Sequence, residues 1–418
     1  MSTAAGDQTA DDQTADDQAA GDQNPAPAAV PGARPRRGLP GPFLLVVLTV
    51  LLLLHGLPWW RLVLAPQWPA AVTIAGTVLA IVALIGFPFA MINGHGRRAS
   101  DRWARIGDSW LGIVWVLFSW TVIGELAGLA LLLTGVPTPD RQRVVAVSVL
   151  VVAIVLCCWG NYQARRVPPV RRTEITLDRL GAGLDGLTIV LIADTHYGPI
   201  NRAVWSAKMV AAVNRLEPDV IVHAGDLADG SVERRRAQVA PLGTAQAGLA
   251  RVYITGNHEY FSGAVQWVQH MTDLGWTVLH NKHVIVERGG ARLAIAGTDD
   301  LTAAGSGIPG HRSDLPAALA GVPSGMPVVL VAHQPKEVRE AAAAGVDLQL
   351  SGHTHGGQIW PFHLIVRVEQ GALQGLSRSG PHTQLYTTRG VGFWGPPFRV
   401  FAPNEISLLT LRSGPRSG

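Results

Sequence analysis

Leu187-Thr188-Ile189-Val190-Leu191-Ile192-Ala193-Asp194-Thr195-His196 is an apolar run that stops on a carboxylate and an imidazole. Its β-branched residues and abrupt polar end read as a buried strand over 187–193 that presents two polar side chains at its carboxyl terminus. The same ending recurs downstream. His223-Ala224-Gly225-Asp226 closes a run at 219–223, with Asp229 shortly after, and Gly256-Asn257-His258-Glu259 follows a run at 251–254. Ala332-His333-Gln334-Pro335 and Ser351-Gly352-His353-Thr354-His355-Gly356-Gly357-Gln358 close the runs at 327–332 and 347–350. Between them, 203–215, 232–247, 263–273 and 336–343 carry helical patterns, and 277–286 and 291–296 add strands. This alternation predicts a layered α/β domain, in which ligands gather beyond the carboxyl ends of the strands.

The chemistry of these endings is specific. Asp194 and His196 are two apart, as are His353 and His355, so on extended backbone each pair would project to one side. Mixed nitrogen and oxygen donors without thiolate suit first-row divalent metals better than a structural zinc knot. Asp226 stands in the middle of the set and can bridge two ions with its two oxygens. Paired metals generate a nucleophile from water and clamp an in-line displacement at phosphorus. Glycines at 225, 256, 352, 356 and 357 allow the tight turns such an array requires.

The blocks D-x-H, G-D-x-x-D, G-N-H-E, a lone histidine and G-H-T-H-G-G-Q, in that order, resemble the calcineurin-like metallophosphoesterase family over roughly residues 185–410. The H-G-G-Q ending, with Leu385-Tyr386-Thr387-Thr388-Arg389-Gly390, is most similar to its membrane-associated branch, some members of which cleave UDP-2,3-diacylglucosamine. The resemblance implies an α-β-β-α sandwich over 185–411. It implies that Asp194, His196, Asp226 and His355 hold one metal, and Asp226, Asn257, His333 and His353 the other. It also implies that a metal-bound hydroxide attacks phosphorus while His258 protonates the leaving oxygen or stabilises the transition state. The ligand mix suits Mn, Fe, Zn or Co alike. Glu259 stands where an aspartate is often found, which puts the orientation of His258 in question.

Other residues have plainer readings. His223, His270, His280, His283, His311, His363 and His382 read as structural. Asp229 reads as orienting a metal ligand or capping the next helix, and Arg389 as a phosphate contact or a surface turn residue. Trp360, Phe362, Phe393, Trp394 and Phe398 read as sheet packing or as a greasy rim that accepts an acyl chain beside the metals.

Working back towards the amino terminus, the texture changes. Four apolar segments occupy about 42–64 (interrupted at Pro58), 70–92, 110–134 and 143–160, each near the ~20 residues that cross a bilayer. Trp59, Trp60, Trp68, Trp110 and Trp159 sit at their ends, as an interfacial belt would. The expected organisation is a disordered acidic tail over 1–37, four transmembrane helices over 38–162, a linker over 163–184, and a flexible end at 412–418. Eleven arginines flank one side of the spans and three the other, so the positive-inside rule puts both termini and the catalytic domain in the cytoplasm of a cell-membrane protein. Arg36-Arg37 ahead of the first span keeps a twin-arginine export signal open. Glu125, the acidic residue deep in a span, reads as an inward packing contact.

Composition narrows the function. The net charge of +4 lies wholly in residues 1–172, where 14 arginines face 10 acidic residues, and the remainder is balanced at 20 and 20. A nucleic-acid footprint needs clustered cations on the folded domain, so no nucleic-acid partner is expected. Cys157 and Cys158 are adjacent in an apolar run, so no disulfide framework exists. The expected partners are the bilayer and a phosphoester, with lipid-linked phosphodiesters or pyrophosphates leading. A nucleotide or phosphoprotein phosphoesterase and a non-catalytic membrane sensor that retains the fold are the alternatives.

Overall fold

The computed structural model describes residues 41–414; the tail expected over 1–37 lies outside them, as do residues 415–418 of the expected flexible end. Among the described residues four helices come first: α1 (Gly41–Trp59, continued by a widened turn Trp60–Leu64), α2 (Ala70–His95), α3 (Asp101–Leu133) and α4 (Asp140–Arg165). Each is long and apolar enough to cross a bilayer, and their outward surfaces are rich in exposed Leu, Ile and Val. The helix passes through Pro58 and widens just after it at Trp60–Leu64.

The helices are longer than the apolar segments. Arg102 and Arg105 lie within α3, because charged residues do not stop a helix beyond the hydrocarbon. Arg61 is buried in the widened turn, with Nε 2.5 Å from Glu125 Oε1 and a further hydrogen bond to Gln142. Glu125 is therefore half of an ion pair between spans. A charge at that depth is retained by pairing.

Two six-stranded sheets follow. The first has the order β1 (Val170–Leu177), β12 (Ile406–Ser413), β2 (Thr188–Ile192), β3 (Val220–Ala224), β4 (Ala250–Ile254), β5 (Thr277–Val278). The second runs β10 (Gly375–Arg378), β11 (Gln384–Thr387), β9 (Leu348–Ser351), β8 (Val328–Val331), β7 (Ala291–Gly297), β6 (Lys282–Arg288). Their facing sides interdigitate through Leu191, Val222, Ile295, Val329 and Leu350, all fully buried. On the outer side of the first sheet lie α5 (Ala203–Asn214), α6 (Val232–Val239), α7 (Asn257–Ser262) and α8 (Ala264–Asp273), with Met209 and Trp267 in its core. On the second lie α9 (Leu315–Leu319) and α10 (Val338–Ala343). The result is an α-β-β-α sandwich.

Several expected boundaries shift. The stretch 163–184 is not a plain linker: β1 within it pairs in parallel with β12 from Val170–Ile406 to Leu177–Ser413. The segment 232–247 gives way to a tighter turn at Ala240–Thr244, where Pro241 removes a donor. The strand expected over 277–286 splits at Asn281, whose φ is +48°.

The sandwich sits against the same helix ends that carry the arginine-rich loops. Arg234 and Arg235 pair with Asp101 at the start of α3, and Asn161 near the end of α4 donates to the Pro397 carbonyl at 2.9 Å. The late aromatics divide between the helices and the site cavity. Trp360 packs on Trp120 and Phe362 edge-on to Trp115, so they dock on α3 rather than on a sheet. Phe398 is buried with Val116 and Ala153 of the helices, whereas Phe362 and Trp394 keep exposed faces. The next helix, α11 (His363–Gln370), turns Leu364, Ile365 and Val368 outward, all exposed.

Candidate metal centre

The parallel strands β2, β3 and β4 of one sheet and β8 and β9 of the other end at the same edge of the sandwich, and the turns beyond them interlock. The His353 amide donates to Asp194 Oδ1 at 2.9 Å, joining the sheets across 159 residues. The His258 amide donates to Asp226 Oδ1 at 2.9 Å. The two D-x-H and H-x-H pairs are not on extended backbone as their spacing suggests. Asp194, His196, Asp226, His353 and His355 all have left-handed φ, between +42° and +68°. A non-glycine residue there costs about 1–2 kcal/mol. Strain of this kind persists where surrounding contacts over-determine it, as at functional sites.

Close approach explains two glycines. A Cβ on Gly256 would lie 2.3 Å from Asp226 Oδ1, and one on Gly390 (φ +72°) 2.7 Å from Asp194 Cβ and Oδ2.

The donor atoms form three overlapping sets, each within 4.8 Å: Asp194, His196 and His355; His196, Asp226 and His258; Asp226, His333 and His353. His196 Nε2 and His355 Nε2 are 3.0 Å apart. His333 Nε2 and His353 Nδ1 are 3.3 Å apart. Asp226 Oδ2 lies between these pairs, 3.6 Å from His196 Nε2 and 3.2 Å from His333 Nε2. Asn257 opens α7 next to His258, and its carboxamide oxygen is buried without a hydrogen-bond partner, as is Asp194 Oδ2.

The donor set fits divalent cations. Buried polar atoms are ordinarily hydrogen-bonded, and leaving them unpaired is costly. His196 Nδ1 is hydrogen-bonded to Asp229 and His333 Nδ1 to the Ala224 carbonyl, so each Nε2 is left with its lone pair facing the cluster. Two such nitrogens crowding one point, flanked by unpaired oxygens, is the arrangement a cation completes.

Charge is distributed accordingly. Burial opposes the ionised form of Asp226, but His333 and His258 outweigh it and hold its carboxyl well below the usual range. Burial opposes the charged form of His258 too, yet the Asp226 and Asp229 carboxylates hold it up at about 9. Burial and the Arg399 guanidinium keep His355 uncharged. Burial and the nearby Asp226 push Glu259 up to about 8.

Positioning residues surround this array. Asp229 Oδ1 meets His196 Nδ1 at 3.1 Å and His258 Nδ1 at 2.6 Å, orienting a candidate ligand and the candidate acid together. Glu259 takes amide hydrogens from Gly256, Asp226 and Leu227, pinning two turns together, so His258 owes its orientation to Asp229 and not to Glu259. Arg389 is tied to Glu405 at 2.8 Å and is mostly buried. Two arginines escaped the sequence reading. Arg202, buried between Trp205 and Phe393, donates to the Thr195 and His196 carbonyls. Arg399, fully buried, binds the His355 carbonyl at 2.6 Å and faces His355 Nδ1 at 3.1 Å. Neither stands in a motif; their long side chains reach the turns from elsewhere in the chain.

Beside the array opens a 550 Å³ cavity lined by His196, Asp229, His258, Phe261 and Trp394, and by Asp101 and Arg105 of α3. The remaining late aromatic, Phe393, also lines it. An apolar cleft of 880 Å³ between α2 and α3, lined by Leu79, Val82, Phe87 and Trp110, shares Arg105 with it.

A two-sheet sandwich with a histidine-carboxylate cluster at its strand ends is the arrangement the sequence blocks predict for a metallophosphoesterase domain. The sequence profile of the calcineurin-like phosphoesterases matches residues 187–357. An uncharacterized metallophosphoesterase of Campylobacter jejuni is 30% identical over 341 residues, covering 79% of this chain and 88% of its own. The chain belongs to the calcineurin-like metallophosphoesterase family. A transmembrane protein with metallophosphoesterase domain from Danio rerio is 37% identical over 278 residues, 65% of this chain and 63% of that protein. A similar protein from Bos taurus is 35% identical over 288 residues, 66% of this chain and 65% of its own length, so the chain spans just under two thirds of these relatives. A dimetal phosphatase from Danio rerio aligns with a TM-score of 0.33 at 16% identity, over 50% of this chain and 88% of that one. The chain thus joins four membrane-capable helices to a calcineurin-like phosphoesterase domain.

Proposed function

We propose that the protein hydrolyses a lipid-linked phosphodiester or pyrophosphate at the bilayer surface, with two divalent cations held by Asp194, His196, Asp226 and His355 on one side and Asp226, Asn257, His333 and His353 on the other. The observation that carries the paired site is Asp226 Oδ2, within 3.6 Å of one histidine pair and 3.2 Å of the other. When bound, such cations supply charge stabilisation at phosphoryl oxygens and a nucleophile from water at neutral pH.

The chain's own groups do the rest. Asp229 holds the Nδ1 of His258, leaving Nε2 for the cavity, where it delivers a proton to the departing oxygen. Phe261 and Trp394 flank that imidazole edge-on at 5.6 and 5.8 Å. Arg202 and Arg399 hold the two histidine-bearing turns from behind.

Lipid linkage is supported by the two adjoining spaces. A phosphate group in the polar cavity beside His258 and an acyl chain in the cleft between α2 and α3 would meet at Arg105, which lines both. The outward Leu364, Ile365 and Val368 of α11 favour the same bilayer surface. The sandwich rests on the helix ends next to Arg97, Arg98, Arg165 and Arg166, which supports a cytoplasmic catalytic domain in a cell-membrane protein. Turnover of a diacyl pyrophosphate should exceed that of its free head group by at least about tenfold in detergent-solubilised protein, since burying each CH2 contributes ~0.8 kcal/mol. Equal rates on both would contradict the lipid reading. A reporter fused after Gly418 should be active on the cytoplasmic side; activity outside would reverse the orientation.

A further inference from the structure

A second cluster of metal-ligating side chains shares no residue with the centre described above. His280 follows β5, Asp299 follows β7, and His311 lies in the loop before α9. Sequence position gives no hint that they meet, and both histidines read as structural from the chain alone. Their donor atoms nonetheless fall within 4.8 Å of one another.

The geometry is that of an open site. His280 Nδ1 lies 2.7 Å from the Asp299 carboxylate, whose Oδ1 takes the hydrogen bond. Asp299 is 2% exposed, and its Oδ2 also lies 2.7 Å from His280 Nδ1. That oxygen is 3.7 Å from His311 Nδ1. The two imidazoles are 4.5 Å apart, centre to centre, and the Tyr260 hydroxyl stands 3.2 Å from His311 Nδ1. The frame is tied down independently: the Asn281 side-chain oxygen accepts from the Asp299 and Asp314 amides, and its NH2 donates to the Arg312 carbonyl.

From this arrangement we infer that His280, Asp299 and His311 form a third divalent-cation site, for Zn²⁺ or an ion of similar preference, separate from the phosphoesterase centre. Two imidazoles and one carboxylate, with a remaining position open to water, form a set zinc commonly takes. None of the seven candidate ligands of the main centre belongs to it. Its effect is structural. The ion clips the loop carrying His311 to the turns after β5 and β7, and Tyr260 links that clip to α7, the helix that begins with Asn257 and His258.

The experiment loads full-length, detergent-solubilised protein with ZnCl2, removes loose metal by gel filtration, and measures zinc per chain. His280→Gln/His311→Gln should bind one equivalent fewer than wild type, and the single His311→Gln variant should bind zinc there at least about tenfold more weakly. Wild-type stoichiometry and affinity in both variants overturn the site. Trypsin supplies a second reading at Arg312. Zinc should slow cleavage there in wild type and not in His280→Gln, and equal protection of the two overturns the clip. Hydrolysis of bis(p-nitrophenyl) phosphate with Mn²⁺ reports the main centre separately, and in His311→Gln it should stay within about threefold of wild type.

Discussion

Asp229 Oδ1 is shared by two imidazoles, His196 at 3.1 Å and His258 at 2.6 Å, so one carboxylate orients a candidate metal ligand and the candidate proton donor at once. Its removal should damage both functions together. Asp229→Asn should lower kcat by about 10–100-fold, the usual cost of losing a partner behind a ligating histidine, and raise the Mn²⁺ concentration needed for half-maximal activity. Steady-state kinetics across a Mn²⁺ series would check this. A fall in kcat with unchanged metal dependence would confine Asp229 to His258.

Asp226→Asn removes charge from the point where the histidine pairs meet, while its backbone contacts to Glu259 remain available. Activity on bis(p-nitrophenyl) phosphate should fall on the order of 10³-fold, the equivalent of several kcal/mol of lost charge stabilisation. Circular dichroism and gel-filtration behaviour should match wild type. Retained turnover would count against the central role of Asp226.

Arg399 is fully buried and donates to the Gly392 and His355 carbonyls. Leaving buried acceptors unpaired costs about 1–3 kcal/mol each, so Arg399→Met should lower the thermal midpoint by several degrees. Arg389→Gln, which loses a pair that retains some solvent contact, should lower it less. Thermal unfolding of the two variants side by side gives the comparison. The reverse order would mean that Arg399 contributes little to holding His355.

The Arg61–Glu125 pair inside the helical region offers a test by double substitution. Breaking a buried pair by removing one partner leaves an uncompensated charge and costs about 3–5 kcal/mol, whereas replacing both with apolar residues is often neutral. Glu125→Leu alone should therefore destabilise the solubilised protein more than Glu125→Leu with Arg61→Met. Equal loss in both would show that the two charges do not depend on each other.

The chain reveals its site more readily than its boundaries, for physical reasons. Asp194, Asp226 and His353 were visible because each closes an apolar run, and a polar ligand at a buried strand end leaves that signature in one dimension. Their left-handed backbone was not visible, since it is imposed by contacts such as His353 N to Asp194 Oδ1 that join distant segments. β1 escaped notice because only Ile175 and Leu177 of it are buried, which gives an edge strand no apolar run. Arg202 and Arg399 were silent for the opposite reason: an arginine buried against carbonyls looks in sequence like any surface arginine. The four spans were legible from apolar length alone, but not their charged extensions, which the sandwich covers at Asp101.

Electron paramagnetic resonance of the Mn²⁺-loaded protein tests the central claim most directly. If His196 with His355 and His333 with His353 serve two ions that share Asp226, the spectrum should show a spin-coupled Mn²⁺ pair, and Asp226→Asn should abolish the coupling. A spectrum of isolated, uncoupled Mn²⁺ in fully loaded wild-type protein would contradict a paired-metal phosphoesterase centre.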